Sequence, residues 1–391
     1  MKIKIIRTST IPLSLDILLK GQLSFLSKKY EVVALSSNDE NLKIVGQREC
    51  IRTISVEMKR KISILQDLKS FYHLYKVFKR EKPVIVHSIT PKAGLLSMLA
   101  AKLARIPIRI HTFTGLIFPT KTGGMQKLLI YMDKLLCWAA TNIYPEGNGV
   151  KNDLSKFNIT SKPLKVLANG NVNGIDVDFF SPQKISNENK VKLRNALNIN
   201  ENDFVFIFVG RLVGDKGINE LITAFKKLLA STNNNIESKL LLVGSLEIEF
   251  DPLLPEVLKE IQNNHNIISV GFQKDVRPYF AISNALVFPS YREGFPNVVI
   301  QAGAMGLPSI VSDINGCNEI IRQDENGMII PSKNTESIFN SMLRLTSDKD
   351  YYKKLSQKSR LLITTRYEQS VVWNALLEEY DFLLKEKGYV V

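Results

Sequence analysis

Histidine and cysteine are scarce in this 391-residue chain, with four histidines and three cysteines (Cys50, Cys137 and Cys317) scattered far apart. They form neither a disulfide framework nor a metal-ligand spacing, and a reducing cytoplasm is the expected compartment. Long apolar runs are missing as well. The opening MKIKIIRTST turns polar within a few residues, which is too short for a signal peptide or a membrane span and suits a first buried strand. There is no G-x-x-x-x-G-K-[ST] loop and no G-x-G-x-x-G after that strand, so a P-loop ATPase and a nicotinamide dehydrogenase both lose support. No internal repeat or low-complexity segment stands out.

What is present is an ordinary globular composition, 45% hydrophobic and 23% charged, in a chain long enough for two domains with sizeable cores. The formal net charge of +14 is lopsided. Residues 1–180 carry 28 lysines and arginines against 13 carboxylates, whereas residues 181–391 carry 24 against 25. A basic half suits an anionic partner: nucleic acid, an anionic membrane surface or a phosphorylated acceptor. On charge alone, a solvated lysine-rich surface is the simpler explanation. No nucleic-acid motif or interleaved basic and aromatic patch accompanies the charge, and no nucleic-acid partner is expected.

Apolar strand-like runs alternate with helical patterns. The first half has KIKIIRTS, EVVALSS, PVIVHS and PIRIHTF; the second has DFVFIFVG, KLLLVGS, IISVGF, ALVFPS and PSIVSD. This alternation predicts an α/β chain of two doubly wound, Rossmann-like domains, with ligands at the carboxyl ends of the strands in a cleft between them. The expected domains are 1–180, rejoined by a C-terminal helix over about 367–391, and 181–366. The polar, asparagine-rich SPQKISNENKVKLRNALNINEND between the two series reads as a linker. In ISILQDLKSFYHLYKVFKREK, Ile64, Leu68, Phe71, Tyr75 and Phe78 share one helical stripe that is expected to face the core.

Two stretches carry chemistry. DFVFIFVGRLVGDKGINELITAF is a buried strand, a loop with Gly210, Gly214 and Gly217, then a helix, with Arg211 and Lys216 in or beside the loop. Glycine lets backbone approach a bulky anion, a helix N-terminus presents unpaired N–H groups, and the two cations complement phosphate oxygens. Ordinary surface cations on a βα turn account for the loop equally well. The stretch SYREGFPNVVIQAGAMGLPSIVSD shifts the balance. Gly294, Phe295, Pro296 and Asn297 head a second helix whose amides offer another anion site. Glu293 stands at the strand exit, placed to accept hydrogen bonds from sugar hydroxyls, and Gln301 follows eight residues later.

Strand-GRL…DKG-helix followed by S-x-x-E-G-F-P-N…A-x-x-x-G-x-P resembles the nucleotide-sugar half of retaining glycosyltransferases of the GT-B fold. The group it resembles is family four, with the bacterial capsular and lipid-linked oligosaccharide enzymes. VHSITPKAGLLSMLAAKLARIPIRIHTFTG and NGIDVDFFSP resemble that group's acceptor-domain strands and interdomain turn, so the resemblance covers most of the chain. It implies that Arg211 and Lys216 hold the donor diphosphate, that Glu293 contacts the donor sugar, and that Gly210 and amides of Gly294, Phe295 and Asn297 complete the cradle beside Pro296. Backbone at Gly271 and Phe272 would hold the base. Thr8, Ser9, Thr10, His87, Thr114 and Gly115 would line the acceptor side.

The chain departs from the family pattern in three places. Gln301 replaces the second carboxylate of E-x7-E, which usually binds the ribose hydroxyls; an amide can still donate and accept there. The family often has a histidine just before the glycine of its acceptor-domain turn, and HTFTG puts Thr114 there, with His111 three residues earlier as the catalytic candidate. The first turn, TSTIPLS, lacks the glycines often seen. The implied activity is transfer of a hexose or N-acetylhexosamine, with retention, from a UDP-sugar to a polyprenyl-diphosphate-linked saccharide. It would occur in contact with the anionic inner face of the cytoplasmic membrane, with no cofactor and no metal. Asp176 and Asp178 match the D-x-D of metal-binding GT-A enzymes, but they follow Asn173-Gly174 and read as turn residues. Asp348 reads as a helix start. A nucleotide-sugar 2-epimerase on the same fold is the alternative.

Overall fold

A computed structural model describes residues 2–59, 63–231, 237–247 and 251–390. The chain divides into two compact units, Met1–Gly174 with Gln369–Val391, and Ile175–Glu368. Among the described residues, twelve strands form two six-stranded sheets. The first contains β1 (Lys4–Thr8), β2 (Glu31–Ser36), β3 (Arg52–Ser55), β4 (Ile85–Ser88), β5 (Ile108–Phe113) and β6 (Asn142–Pro145), in the order β3-β2-β1-β4-β5-β6. The second contains β7 (Phe204–Val209), β8 (Ser238–Val243), β9 (Ile267–Ser269), β10 (Ala285–Phe288), β11 (Ser309–Ser312) and β12 (Gly327–Ile330), in the order β12-β11-β10-β7-β8-β9. Every neighbouring pair is parallel.

Both sheets therefore have the same doubly wound topology. Strand order reverses between β1 and β4 in one and between β7 and β10 in the other, and loops leaving those carboxyl ends diverge to open a crevice. Helices cover both faces, so central strands such as FVFIFV are buried along nearly their whole length instead of alternating. The second unit has one apolar cluster around Phe206, Phe208 and Phe225. In the first unit, separate clusters form on the two faces of the sheet, one around Leu74, Phe78 and Leu136, the other around Leu23, Tyr30 and Leu376.

Two expectations are corrected. The segment that reads as a linker contains a helix, Asn187–Ala196, that belongs to the second unit. Ser186 caps it by accepting from Asn189 N–H, and Arg194 donates to the carbonyls of Ile282, Asn200 and Asp203. In the helix Ile64–Glu81 the buried residues are Ser70, Leu74, Val77 and Phe78. Phe71 and Tyr75 pack partly against that core, but Ile64, Leu65 and Leu68 of the opening turns are exposed. Asp348 does start a helix, Lys349–Tyr367, by accepting from Tyr351 N–H.

The helix Gln369–Glu386 completes the first unit. Its Tyr380 lies against a buried arginine: Arg7 donates to the Tyr380 hydroxyl (3.1 Å) and to Gln22 Oε1 (2.9 Å). That leaves the tyrosine proton for His87 Nδ1, 2.6 Å away, while His87 Nε2 lies 2.8 Å from Thr112 Oγ1. Burial first, then the Arg7 charge and the neighbouring His111, hold His87 well below its usual range, and burial brings His111 down to about 3. Both are neutral in the folded chain near neutrality. Below about pH 6.5 an unfolded chain takes up protons at these sites that the folded chain refuses, so stability present above that pH is lost as pH falls. The expected loss is up to about 1.4 kcal/mol per pH unit for each histidine. Urea unfolding between about pH 7 and pH 5.5 measures it, and His111→Gln should reduce the slope; equal slopes in the two proteins would contradict this account.

Candidate functional site

In the second unit the loops beyond β7 and β10 meet over the crevice. Chain passes closely here because of glycine. A side chain at Gly244 would collide with the Gly210 carbonyl, and one at Gly217, which has φ +71°, would collide with the Pro289 carbonyl. Gly217 ends a short 3₁₀ turn, Gly214–Lys216, and opens the helix Ile218–Ala230. Tyr291 N–H donates to the Asp215 carbonyl (2.9 Å), tying the two loops together.

Across that seam Lys216 Nζ forms an ion pair with Glu293 Oε1, the two side chains being 16% and 17% exposed. Ser290 Oγ donates to the same carboxylate oxygen at 2.8 Å. Arg211, on the same loop as Lys216, is half exposed and pairs with Glu247 at 2.9 Å. Burial and then the Glu293 charge push the Cys317 thiol well above its usual range. The turn before the helix Asn297–Ala304 is wedged against Gly316, where a side chain would strike the Gly294 carbonyl and Phe295 Cα. Phe295 is buried edge-on to Tyr367, with ring centroids 5.6 Å apart, and Pro296 is the N-cap residue and has no N–H to offer. Only backbone groups of this turn can meet a ligand. Asn297 and Gln301 lie on the helix, both partly buried. The Gly271 carbonyl accepts from Gly244 N–H (2.9 Å), and Phe272 beside it is 75% exposed.

The acceptor-side candidates separate into two groups. Thr10, Thr114 and Gly115 lie at strand ends of the first unit. Thr10 N–H donates to Thr90 Oγ1 (2.8 Å), and the two hydroxyls are 2.8 Å apart, bridging the reversal point between β1 and β4. Thr114 Oγ1 donates to the Ile89 carbonyl. Thr10 is itself largely buried, and the others are fully so: Thr8, Ser9 with its hydroxyl turned to the Ile11 carbonyl, and His87. His111 is a core histidine as well. Its Nδ1 lies 2.8 Å from Ser88 Oγ, and its ring fills the space that Gly94 leaves and packs on Phe113. The catalytic role expected of His111 has no geometry to support it here.

A pocket of about 500 Å³ opens beside the Thr10–Thr90 bridge. The helix Gly123–Ala139 contributes Leu129, Met132 and Asp133 to its wall, and burial pushes the Asp133 carboxyl up to about 7. Sequence reasoning passed over Asp133, although one carboxylate inside KLLIYMDKLLCW was a visible signal. Asp176 Oδ1 accepts from the N–H groups of Asp178 and Phe179, which makes the D-x-D string a local turn. No group of three or more potential metal ligands gathers among the described residues.

The chain matches two family models, "Glycosyl transferases group 1" over residues 189–362 and "Glycosyl transferase 4-like" over residues 16–146. It is 34% identical, over 98% of both chains, to the capsular polysaccharide biosynthesis glycosyltransferase CapM of Staphylococcus aureus. It is 31% identical, over 74% of this chain and 73% of the relative, to the UDP-Gal:alpha-D-GlcNAc-diphosphoundecaprenol alpha-1,3-galactosyltransferase of Escherichia coli. The crystal structure of Anabaena Alr3699/HepE in complex with UDP is similar in fold, with a TM-score of 0.81 at 16% identity, over 97% of this chain and 100% of that one.

Arg211 and Lys216 are each held by a carboxylate, so an incoming polyanion competes with Glu247 and Glu293. Glu247→Gln removes one competitor from an exposed pair, and pyrophosphate affinity measured by calorimetry should rise by up to about fivefold. Unchanged affinity would mean that Glu247 does not restrain Arg211.

Proposed function

Since this chain belongs to the group 1, 4-like glycosyl transferases, we propose that it moves a hexose or N-acetylhexosamine from a UDP-sugar to a saccharide carried on a polyprenyl diphosphate. The observation that carries this reading is the Lys216–Glu293 pair across the reversal point of the second sheet. A cation for the diphosphate and a carboxylate for the sugar stand next to each other where a doubly wound sheet binds ligands. The donor's diphosphate takes Lys216 from Glu293, and Glu293 then accepts hydrogen bonds from the sugar hydroxyls.

Breaking the bond at the anomeric carbon leaves one more negative charge on the nucleotide and a cation-like sugar ring. Lys216 and Arg211 gain strength as that charge develops, and such differential binding is what lowers the barrier. The leaving phosphate takes the acceptor's proton on the face it departs from, so the configuration is retained. These cations do the work of a divalent metal, and none is required. Gln301, on the helix behind Glu293, hydrogen-bonds the ribose diol, while backbone at Gly271 and Phe272 receives the uracil.

The acceptor assignment draws on the E. coli relative, whose name gives a diphosphoundecaprenol substrate, and on the basic first 180 residues. Contact with an anionic membrane draws on the helix Ile64–Glu81. Exposed Ile64, Leu65, Leu68 and Tyr72 lie there beside the exposed Lys69 and Lys76. No helix among the described residues is long and apolar enough to cross a membrane.

Calorimetric titration with UDP, GDP and ADP in EDTA tests the donor. UDP should bind best, and Arg211→Ala and Lys216→Ala should each weaken it by roughly tenfold or more, the worth of one charge-assisted hydrogen bond. Tighter GDP or ADP binding would replace the donor, and binding seen only with Mn²⁺ would falsify the metal-free mechanism.

A further inference from the structure

The pocket beside the Thr10–Thr90 bridge is chemically mixed. Leu116, Phe118, Leu129 and Met132 give it an apolar wall, and Asp133 interrupts that wall with a carboxyl group. Among the described residues Asp133 makes no hydrogen bond or ion pair. Lys92 lines the same pocket, but it donates to Asp67 at 2.8 Å. The Thr10 and Thr90 hydroxyls bond to one another. A half-buried carboxyl group without a partner is unfavourable, and a ligand that supplies one offsets that cost.

We propose that this pocket holds the terminal sugar of the acceptor, with Asp133 hydrogen-bonding one of its hydroxyls and a methyl-bearing substituent such as an acetamido group packed on the apolar wall. The inference rests on the transferase function proposed above and adds a positioning residue and a substituent class to it. A bare isoprenoid chain offers Asp133 no donor. A sugar with hydroxyls on every side would lose water against Leu129 and Met132 and gain nothing in return. A sugar with one apolar substituent satisfies both walls. The pocket lies at the carboxyl ends of β1, β4 and β5, where the first sheet reverses, and its volume is that of a small-molecule site. With its carboxyl pushed up to about 7 by burial, Asp133 is partly protonated at neutral pH and in that form donates as well as accepts.

Binding of octyl N-acetylglucosaminide, octyl glucoside and octyl phosphate, followed by calorimetry and by saturation transfer from the acetyl methyl, tests this without requiring turnover. The acetamido glycoside should bind about fourfold or more tightly than octyl glucoside, the worth of one buried methyl. Asp133→Leu should weaken it by about tenfold, while Asp133→Asn, which keeps the shape and a hydrogen bond, keeps most of the affinity. Both variants should bind UDP as the unaltered protein does. Octyl phosphate binding as well as the glycosides, an undiminished Asp133→Leu variant, or no binding of any glycoside overturns the proposal. Failure of the transferase reading is separate: it appears as no transfer from any UDP-sugar to a diphosphate-linked acceptor, whatever these glycosides do.

Discussion

A doubly wound parallel sheet opens at one place, where the strand order reverses and the loops on either side turn to opposite faces. Both sheets of this chain obey that constraint, and both bridge the opening with side chains. In the first unit the bridge is neutral, Thr10 to Thr90. In the second it is ionic, Lys216 to Glu293. The same topology thus presents a pair of neutral hydroxyls at one crevice and an ion pair at the other. The difference comes from the two side chains placed at each bridge.

An ion pair that is mostly buried is costly to break if either charge is left alone, and much less so if each finds a new partner. In the proposed reaction a sugar diphosphate supplies both partners, phosphate for the ammonium and hydroxyls for the carboxylate. Ser290 holds Glu293 by the same oxygen that Lys216 uses, so the carboxylate keeps one anchor during the exchange. Cys317, whose thiol feels the Glu293 charge, is itself buried and held neutral.

The central strands were legible in the sequence because helices cover both their faces, which makes them unbroken apolar runs. The strands that escaped, β3, β6 and β12, are all sheet edges of four residues. RTIS at β3 is half exposed, and an edge that pairs on one side needs less hydrophobicity to hold it. The helix Asn187–Ala196 was hidden by its polar composition, since it is held by the Ser186 cap and by Arg194 reaching four backbone carbonyls. The meeting of Lys216 and Glu293 was foreshadowed in the sequence because glycines, cations and the carboxylate occur at fixed offsets on two strand-to-helix loops. The acceptor side was not. Whether His111 points into the core or the crevice depends on its position on β5 against Ser88 and Gly94, and Asp133 becomes notable only once its helix is seen to wall a pocket.

The helix Gln369–Glu386 belongs to the unit that the chain begins with, and this fixes an order of events during synthesis. Arg7 leaves the ribosome long before Tyr380, whose hydroxyl receives it in the folded core. Glu379, which accepts from Tyr144, and Asp381, which pairs with Lys29, emerge equally late. Through translation of the whole intervening stretch, Arg7 has Gln22 and His87 has Thr112, but the Tyr380 hydroxyl that joins the two does not yet exist. Residues 175–368 can close their own core while they wait. The first unit cannot be completed until the second has been synthesised.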